Sequence, residues 1–276
     1  MGKSSPLDVG FLIHGSILPH VREHVHQTAG VRSLHESLKP REIRDSIARA
    51  KEFWTMTTIT CAEVSAWRPA WNNAGEGRVV GFSGTFAQGE VVGIYGPDGC
   101  GKGLLLNLLG LIERPDTGVL QILGHDAQAF NDEDLATFRN EVCGYLFGHP
   151  YLLPSFSVAE NVAMPYFRIC GGDASEVRSR TVEMLAFCGI ADYESSLAGR
   201  IPLSVRWRAA LARALVHEPE ILIAISPPAP ELLGIARMAA ESKGLTIIWA
   251  GDYEDLAPHA TRLVGMSQGV MTQDLL

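Results

Sequence analysis

The chain lacks any apolar run long enough to cross a bilayer: no stretch of 18 apolar residues occurs in its 276 positions. Val9 to Leu18 is too short, is broken by His14 and Gly15, and has no basic leader, so a signal peptide is not expected. Paired cysteines are also missing. Cys61, Cys100, Cys143, Cys170 and Cys188 are scattered without a C-x-x-C spacing. That argues against a zinc site or disulfide framework and for reduced thiols in a cytoplasmic protein. Positive charge is scarce, with 23 Lys and Arg against 31 Asp and Glu and a net charge of −8. No nucleic-acid partner is expected, because such a partner is usually met by a basic face. What is present is 46% apolar residue content, ample for a core and for one large or two small domains.

The first 55 residues stand apart. They hold five of the nine histidines and carry eight Lys and Arg against six Asp and Glu. Pro40 followed by Ile43, Ile47, Ala50 and Trp54 predicts a short amphipathic helix. His20 and His24 stand at an i, i+4 spacing, but no further ligands accompany them, so a structural or solvent role is expected. Met56-Thr57-Thr58-Ile59-Thr60 reads as a natural start. Residues 1–55 are therefore expected to be an N-terminal extension, partly helical or poorly ordered, ahead of a domain over 56–276.

From residue 56 strand and helix patterns alternate. Strands are expected at Thr57–Cys61, Val91–Tyr95, Cys143–Phe147, Ile221–Ile225 and Thr246–Ala250. Helices are expected at Lys102–Ile112, Glu133–Asn140, Ala174–Phe187, Val205–Val216 and Pro230–Ser242. Strands separated by crossover helices imply an α/β fold with a mainly parallel sheet covered on both faces.

Between the second strand and the first of these helices, Gly96 to Gly103 read GPDGCGKG. The pattern G-x-x-x-x-G-K-[ST] is met by Gly96, Gly101 and Lys102, but Gly103 stands where a hydroxyl should hold Mg²⁺. Glycines let successive N–H groups point at a phosphate, the helix N-terminus adds its positive end, and the lysine reaches the outer phosphates. The loop implies a nucleotide.

Three further segments carry a family likeness. GKGLLLNLLGLIERPDTGVLQILGHD, EDLATFRNEVCGYLFGHPYLLPSFSVAENVAMP and LSVRWRAALARALVHEPEILIAISPP follow one another along the chain. They resemble, in order, the first helix and β region, the Q-loop segment, and the signature helix with Walker B strand of ATP-binding cassette (ABC) ATPase subunits. The likeness spans residues 56–276 and is nearest to the lipoprotein-release, macrolide-export and cell-division group. It implies a P-loop NTPase fold with a mainly parallel sheet core, an antiparallel β region and a helical subdomain at about residues 150–215. For the cofactor it implies ATP on Gly96, Pro97, Asp98, Gly99, Cys100, Gly101, Lys102, Gly103 and Leu104. Trp67 best matches the family's aromatic platform for adenine and Trp71 comes next, surface packing being the alternative for both.

The same comparison implies losses. The Q-loop glutamine after Phe147 is Gly148, beside which His149 either meets a phosphate or faces solvent, the latter being expected. The signature LSGGQ is reduced to Leu203-Ser204-Val205, with Ser204 expected to cap the following helix. Ile225 and Ser226 replace the Walker B aspartate and glutamate. Ala250-Gly251-Asp252 stands for Thr-His-Asp, so the switch histidine is gone and Asp252 is expected to cap a helix at Tyr253–Ala257.

Phosphoryl transfer here is nearly all positioning and electrostatics. Losing one such group costs about 10²–10⁴-fold. Loss of all of them predicts a Mg²⁺ site abolished and hydrolysis absent or very weak, with weak ATP binding retained. The resemblance further implies a membrane permease and a second ABC ATPase subunit, as homodimer or heterodimer, as partners, placing the chain in the cytoplasm at the inner face of the membrane. A stand-alone nucleotide-binding regulator or scaffold, an ATPase using Asp252, Glu254 or His149, and a decaying copy are the competing readings.

Overall fold

The structure, a computed structural model, describes residues 57–69, 77–225, 227 and 229–275. The expected N-terminal extension with its helix and its His20/His24 pair, and also Trp71 and Ser226, lie outside these residues.

Two sheets are present among the described residues. The smaller is antiparallel, in the order β2-β1-β4-β5, from β1 (Thr57–Arg68), β2 (Gly77–Ala87), β4 (Thr117–Ile122) and β5 (His125–Asp126). The larger is built from β3 (Val91–Tyr95), β6 (Cys143–Leu146), β7 (Ile221–Ile225), β8 (Thr246–Ala250), β9 (Arg262–Ser267) and β10 (Val270–Leu275). Its order is β10-β9-β3-β8-β7-β6, parallel throughout except for the β9–β10 hairpin. The helices are α1 (Lys102–Leu109), α2 (Asp132–Val142), α3 (Val158–Cys170), α4 (Ala174–Phe187), α5 (Leu203–Leu215), α6 (Glu231–Lys243) and the single turn α7 (Tyr253–Leu256).

A period of two sorts the strand side chains between two cores. Ile221 and Ile223 of β7, with Ile248 and Ala250 of β8, pack with α1 and the antiparallel sheet. Leu222 and Ala224, with Ile247 and Trp249, face α5 and α6 on the other side. Both faces being covered, these strands read as unbroken apolar runs, which is what a buried parallel sheet demands.

Helix starts follow side-chain chemistry. Ser157 and Glu160 form a capping box at α3, and Asp173 accepts from the N–H groups of Ser175 and Glu176 at α4. The expected span Ala174–Phe187 is the one observed. Helix α5 begins at Leu203, not Val205, with Pro202 at its N-cap. Ser204 therefore lies inside the first turn and caps nothing, because the extended Pro202 already makes the turn into the helix. Asp252 does occupy the N-cap position of α7, but its side chain makes no capping bond.

Helices α3, α4 and α5 pack on one another and carry the segment that follows β6. Asn161 of α3 is fully buried, and its side chain fixes that segment. Oδ1 accepts from the Leu153 N–H at 2.7 Å, while Nδ2 donates to the carbonyls of Leu153 and Ser157 at 3.1 and 2.9 Å. Arg213 of α5 donates to the Pro150 and Tyr151 carbonyls at 2.8 and 2.6 Å, and its burial lowers its pKa.

Candidate functional site

Strand β3 ends at Tyr95 and α1 starts at Lys102, so the glycine loop sits at the carboxyl edge of the parallel sheet, where ligands of such folds bind. Two of its glycines are forced by neighbours. Gly96 has φ 147°, and a Cβ there would stand 2.2 Å from the Met266 carbonyl oxygen of β9. Gly101, the N-cap of α1, has φ 104°, and a Cβ there would stand 2.2 Å from the Arg78 carbonyl oxygen of β2. Gly103 is different. It lies inside α1, is exposed, and a Cβ there would meet nothing within 4 Å.

Leu105 is the first residue of α1 whose N–H reaches back along the helix, to the Gly101 carbonyl at 2.9 Å. The N–H groups of Lys102, Gly103 and Leu104 thus have no acceptor within the helix and point out of its positive end. Lys102 curls over the loop: Nζ donates to the carbonyls of Gly96 and Pro97. Pro97, Asp98 and Gly99 are exposed and Cys100 is buried. Chemically, this is a cradle for an anion with one ammonium group above it.

The carboxyl ends of three more strands line up beside the loop. Ile94 of β3 pairs with Ala250, Ala250 with Ile225, and Ala224 with Leu146, which precedes Phe147 and Gly148. The side chains brought there are those of Phe147, Ile225, Ala250 and the exposed Asp252. Tyr145 stacks on Phe147 at 5.7 Å. His149 faces solvent, as expected, with its ring edge-on to Tyr151 at 5.7 Å. Among the described residues no group of three or more His, Cys, Asp or Glu is placed to hold a metal ion.

On the opposite side of β3 lies β9, whose turn into β10 grips the loop. The Gly269 N–H donates to the Cys100 carbonyl at 2.8 Å, and its own carbonyl accepts from Val80 at 2.8 Å. Trp67 stands at this side near the end of β1, half exposed at 52%, its backbone N–H donating to Asp116 Oδ2 at 2.8 Å. It pairs directly with Arg78 of β2. Arg78 thus joins the loop and the tryptophan: its carbonyl packs on Gly101, its exposed side chain runs beside Gly269. Sequence reasoning missed it, since no motif spacing links positions 78 and 101; only the antiparallel pairing brings them together. Arg213 and Asn161 were missed because only the packing of α3 and α5 against the segment after β6 brings them to it.

The ABC transporter family profile matches residues 79–227. The lipoprotein-releasing system ATP-binding protein LolD 1 of Caulobacter vibrioides is 32% identical over 212 residues, covering 74% of this chain and 91% of that protein. The macrolide export ATP-binding/permease protein MacB of Chlorobaculum tepidum is 32% identical over 201 residues, 70% of this chain but 30% of that longer protein. Among solved structures, the dimeric ATP-binding cassette MJ0796 bound to ADP and Pi superimposes with a TM-score of 0.70 at 22% identity, over 78% of this chain and 97% of that one.

Proposed function

The chain belongs to the ABC transporter family, as an ATP-binding domain of the LolD and MacB type, and on that premise we propose that it holds adenine nucleotide without hydrolysing it and docks on a membrane permease. One observation carries the reading: Gly103, Gly148, Ile225 and the Ala250-Gly251 pair stand around the loop and none offers a side-chain oxygen or imidazole, which leaves the exposed Asp252 as the carboxylate at this edge.

A nucleotide fits the residues present. The outward N–H groups of Lys102, Gly103 and Leu104 would bind phosphate oxygens, with Lys102 swinging from the Gly96 carbonyl onto the anion. Trp67 would stack the base for about 1–3 kcal/mol. Magnesium does not fit. It asks for hard oxygen ligands at near-octahedral geometry, usually one or two carboxylates beside the phosphates. The position after Lys102 is glycine and the end of β7 is isoleucine, so the donor set is missing. Without the metal ligands, and with Gly148 and Gly251 where the Q-loop glutamine and switch histidine would orient water, the chain binds and orients a nucleotide and stops there.

Docking is supported by the segment after β6. Tyr151 is 65% exposed, with Leu153 and Phe156 also exposed, while Asn161 and Arg213 bond the backbone beneath them; Phe167 of the following helix α3 is 66% exposed. Large apolar groups on a braced surface are what a partner helix requires. We place the chain at the cytoplasmic face of a membrane, beside a second ATPase subunit.

Calorimetry on the full chain tests the core of this. Lys102-dependent ATP binding, together with turnover far below about 1 s⁻¹, is the expected result. A Lys102-dependent ATPase at or above that rate defeats it, and so does the absence of binding. Co-purification with a permease is the expected outcome for docking; recovery with a soluble partner alone sinks that half.

A further inference from the structure

We propose that the site recognises a nucleoside diphosphate and gains nothing from a third phosphate, so that ADP and ATP bind alike; this rests on the nucleotide-binding reading above. The loop lies between two unlike flanks. On the β9 side, the Gly269 turn ties Cys100 to β2, and Arg78 stands at that junction with its carbonyl against Gly101 and its side chain free in solvent. Trp67 is its direct cross-strand partner. A base stacked on Trp67 therefore sends its phosphates past Arg78 toward the α1 N-terminus and Lys102. A guanidinium and an ammonium then bracket the first two phosphates, with the helix N–H groups between them.

The β8 flank is the opposite in charge. Where the chain leaves β8, Asp252 is exposed, and Glu254 and Asp255 follow it in α7, also exposed. Beyond them, Ile225 ends β7 and Gly148 follows β6. Among the described residues, no lysine or arginine belongs to the segments that follow β6, β7 and β8; their basic side chains are His149, which faces solvent, and His259, and the guanidinium of Arg213 from α5 is bonded to the Pro150 and Tyr151 carbonyls. A third phosphate extending across this edge adds a negative charge on the side where Asp252, Glu254 and Asp255 are exposed, and among the described residues no group of three or more His, Cys, Asp or Glu is placed to hold a cation between them. The diphosphate contacts and the third-phosphate contacts are thus separable, and this chain keeps only the first. Its occupancy then follows total adenine nucleotide, not the ratio of ATP to ADP.

Titration calorimetry of the full chain with ADP and with ATP, each with Mg²⁺ and with EDTA, tests this. The four dissociation constants are expected to agree within about threefold. Arg78→Ala should weaken ADP and ATP together by about tenfold, as loss of a charge-assisted bond to phosphate does. Its side chain is exposed, so its thermal melt should match the parent, and Arg78→Gln provides a second check. Asp252→Lys, which places a cation on the poor flank, should make ATP the tighter ligand. ATP binding ten times tighter than ADP in the parent overturns the proposal while leaving nucleotide binding intact. Unchanged affinities in a folded Arg78→Ala overturn the diphosphate bracket. No binding of either nucleotide by the folded parent removes this proposal and the reading it rests on.

Discussion

Alanine at Gly96 and alanine at Gly103 should shift stability in opposite directions, although both glycines belong to one loop motif. At Gly96 the backbone φ is 147°, where an L-residue costs about 1–3 kcal/mol. The new Cβ would also stand 2.2 Å from the Met266 carbonyl oxygen, 3.1 Å from its carbon and 2.9 Å from Cys100 Sγ. The first two are backbone atoms of β9, which is hydrogen-bonded on both sides, so they cannot swing aside. Overpacking of this kind adds about 1–3 kcal/mol, for a total of roughly 2–6. At Gly103 the residue is helical and a Cβ meets nothing within 4 Å, so alanine gains about 0.5–1 kcal/mol from the helix and the stiffer unfolded chain. In a domain of this size 1 kcal/mol moves Tm by about 2–4 °C. Thermal melts of the full chain should therefore fall by roughly 5–20 °C for Gly96→Ala and rise by about 1–4 °C for Gly103→Ala. A Gly96→Ala protein within about 1 °C of the parent would refute the steric argument, as would a Gly103→Ala protein that loses as much.

Burial holds the pKa of His217 down, to about 4 against an ordinary 6.5, with only the Cys143 carbonyl at 3.3 Å to favour its charged form. The unfolded chain thus takes up a proton that the folded one refuses, so stability is lost as pH falls from about 6.5 toward 4, by about 2 kcal/mol between pH 7 and 5. Urea midpoints for His217→Gln should show a flatter pH dependence across that range; an unchanged slope counts against it. Asn161→Ala should cost about 1–3 kcal/mol, because the buried Leu153 N–H loses its acceptor, and hydrogen exchange at residues 153–157 should accelerate. Exchange unchanged there would show that the segment is braced by other contacts. Gly103→Ser should fold well, since the space is open, yet leave ATP turnover where it was, because Ile225 still supplies no metal ligand. A burst of Mg²⁺-dependent turnover from that single change would contradict the account of the missing donor set.

How much of this was legible depended on whether a signal was local. The apolar runs at 91–95, 221–225 and 246–250 announce buried strands because both sheet faces are covered, and α4 announces itself through Asp173. The first strand was expected to end at Cys61 but runs to Arg68. Register shifts between Cys61 and Val64, and again between Val64 and Ala66, scramble the alternation that would have revealed it. Helix α1 was expected to reach Ile112 but stops at Leu109. Leu111 takes φ 58° and the Ile112 N–H returns to the Asn107 carbonyl at 2.9 Å, closing the helix just after Gly110, whose carbonyl is held from outside by the Tyr145 hydroxyl. No reading of residues 102–112 alone contains that last bond. Helix α3 was hidden by Pro165 in its interior, although the Ser157–Glu160 box before it was readable. At the site, the loop was legible as a motif, whereas Arg78 enters only through β1–β2 pairing.

The persistence of the loop is weaker testimony to nucleotide binding than the motif suggests. Gly96 and Gly101 are each required by a carbonyl of a neighbouring strand, Met266 and Arg78, and a Cβ at Gly269 would stand 2.8 Å from the Arg78 carbonyl oxygen. Three segments distant in sequence therefore lock together through glycines whether or not a phosphate ever arrives. Folding alone would demand G-x-x-x-x-G. It would not keep Lys102, whose ammonium bonds two carbonyls of its own loop at a partly exposed position and contributes little to a fold. Nor would it keep Trp67 half exposed opposite a solvent-facing Arg78. The functional weight therefore rests on these three side chains. If Lys102→Ala, Arg78→Ala and Trp67→Ala each leave the melting temperature unchanged and each weaken ADP, the loop is a working site. If they alter neither, its glycines are there for the sheet.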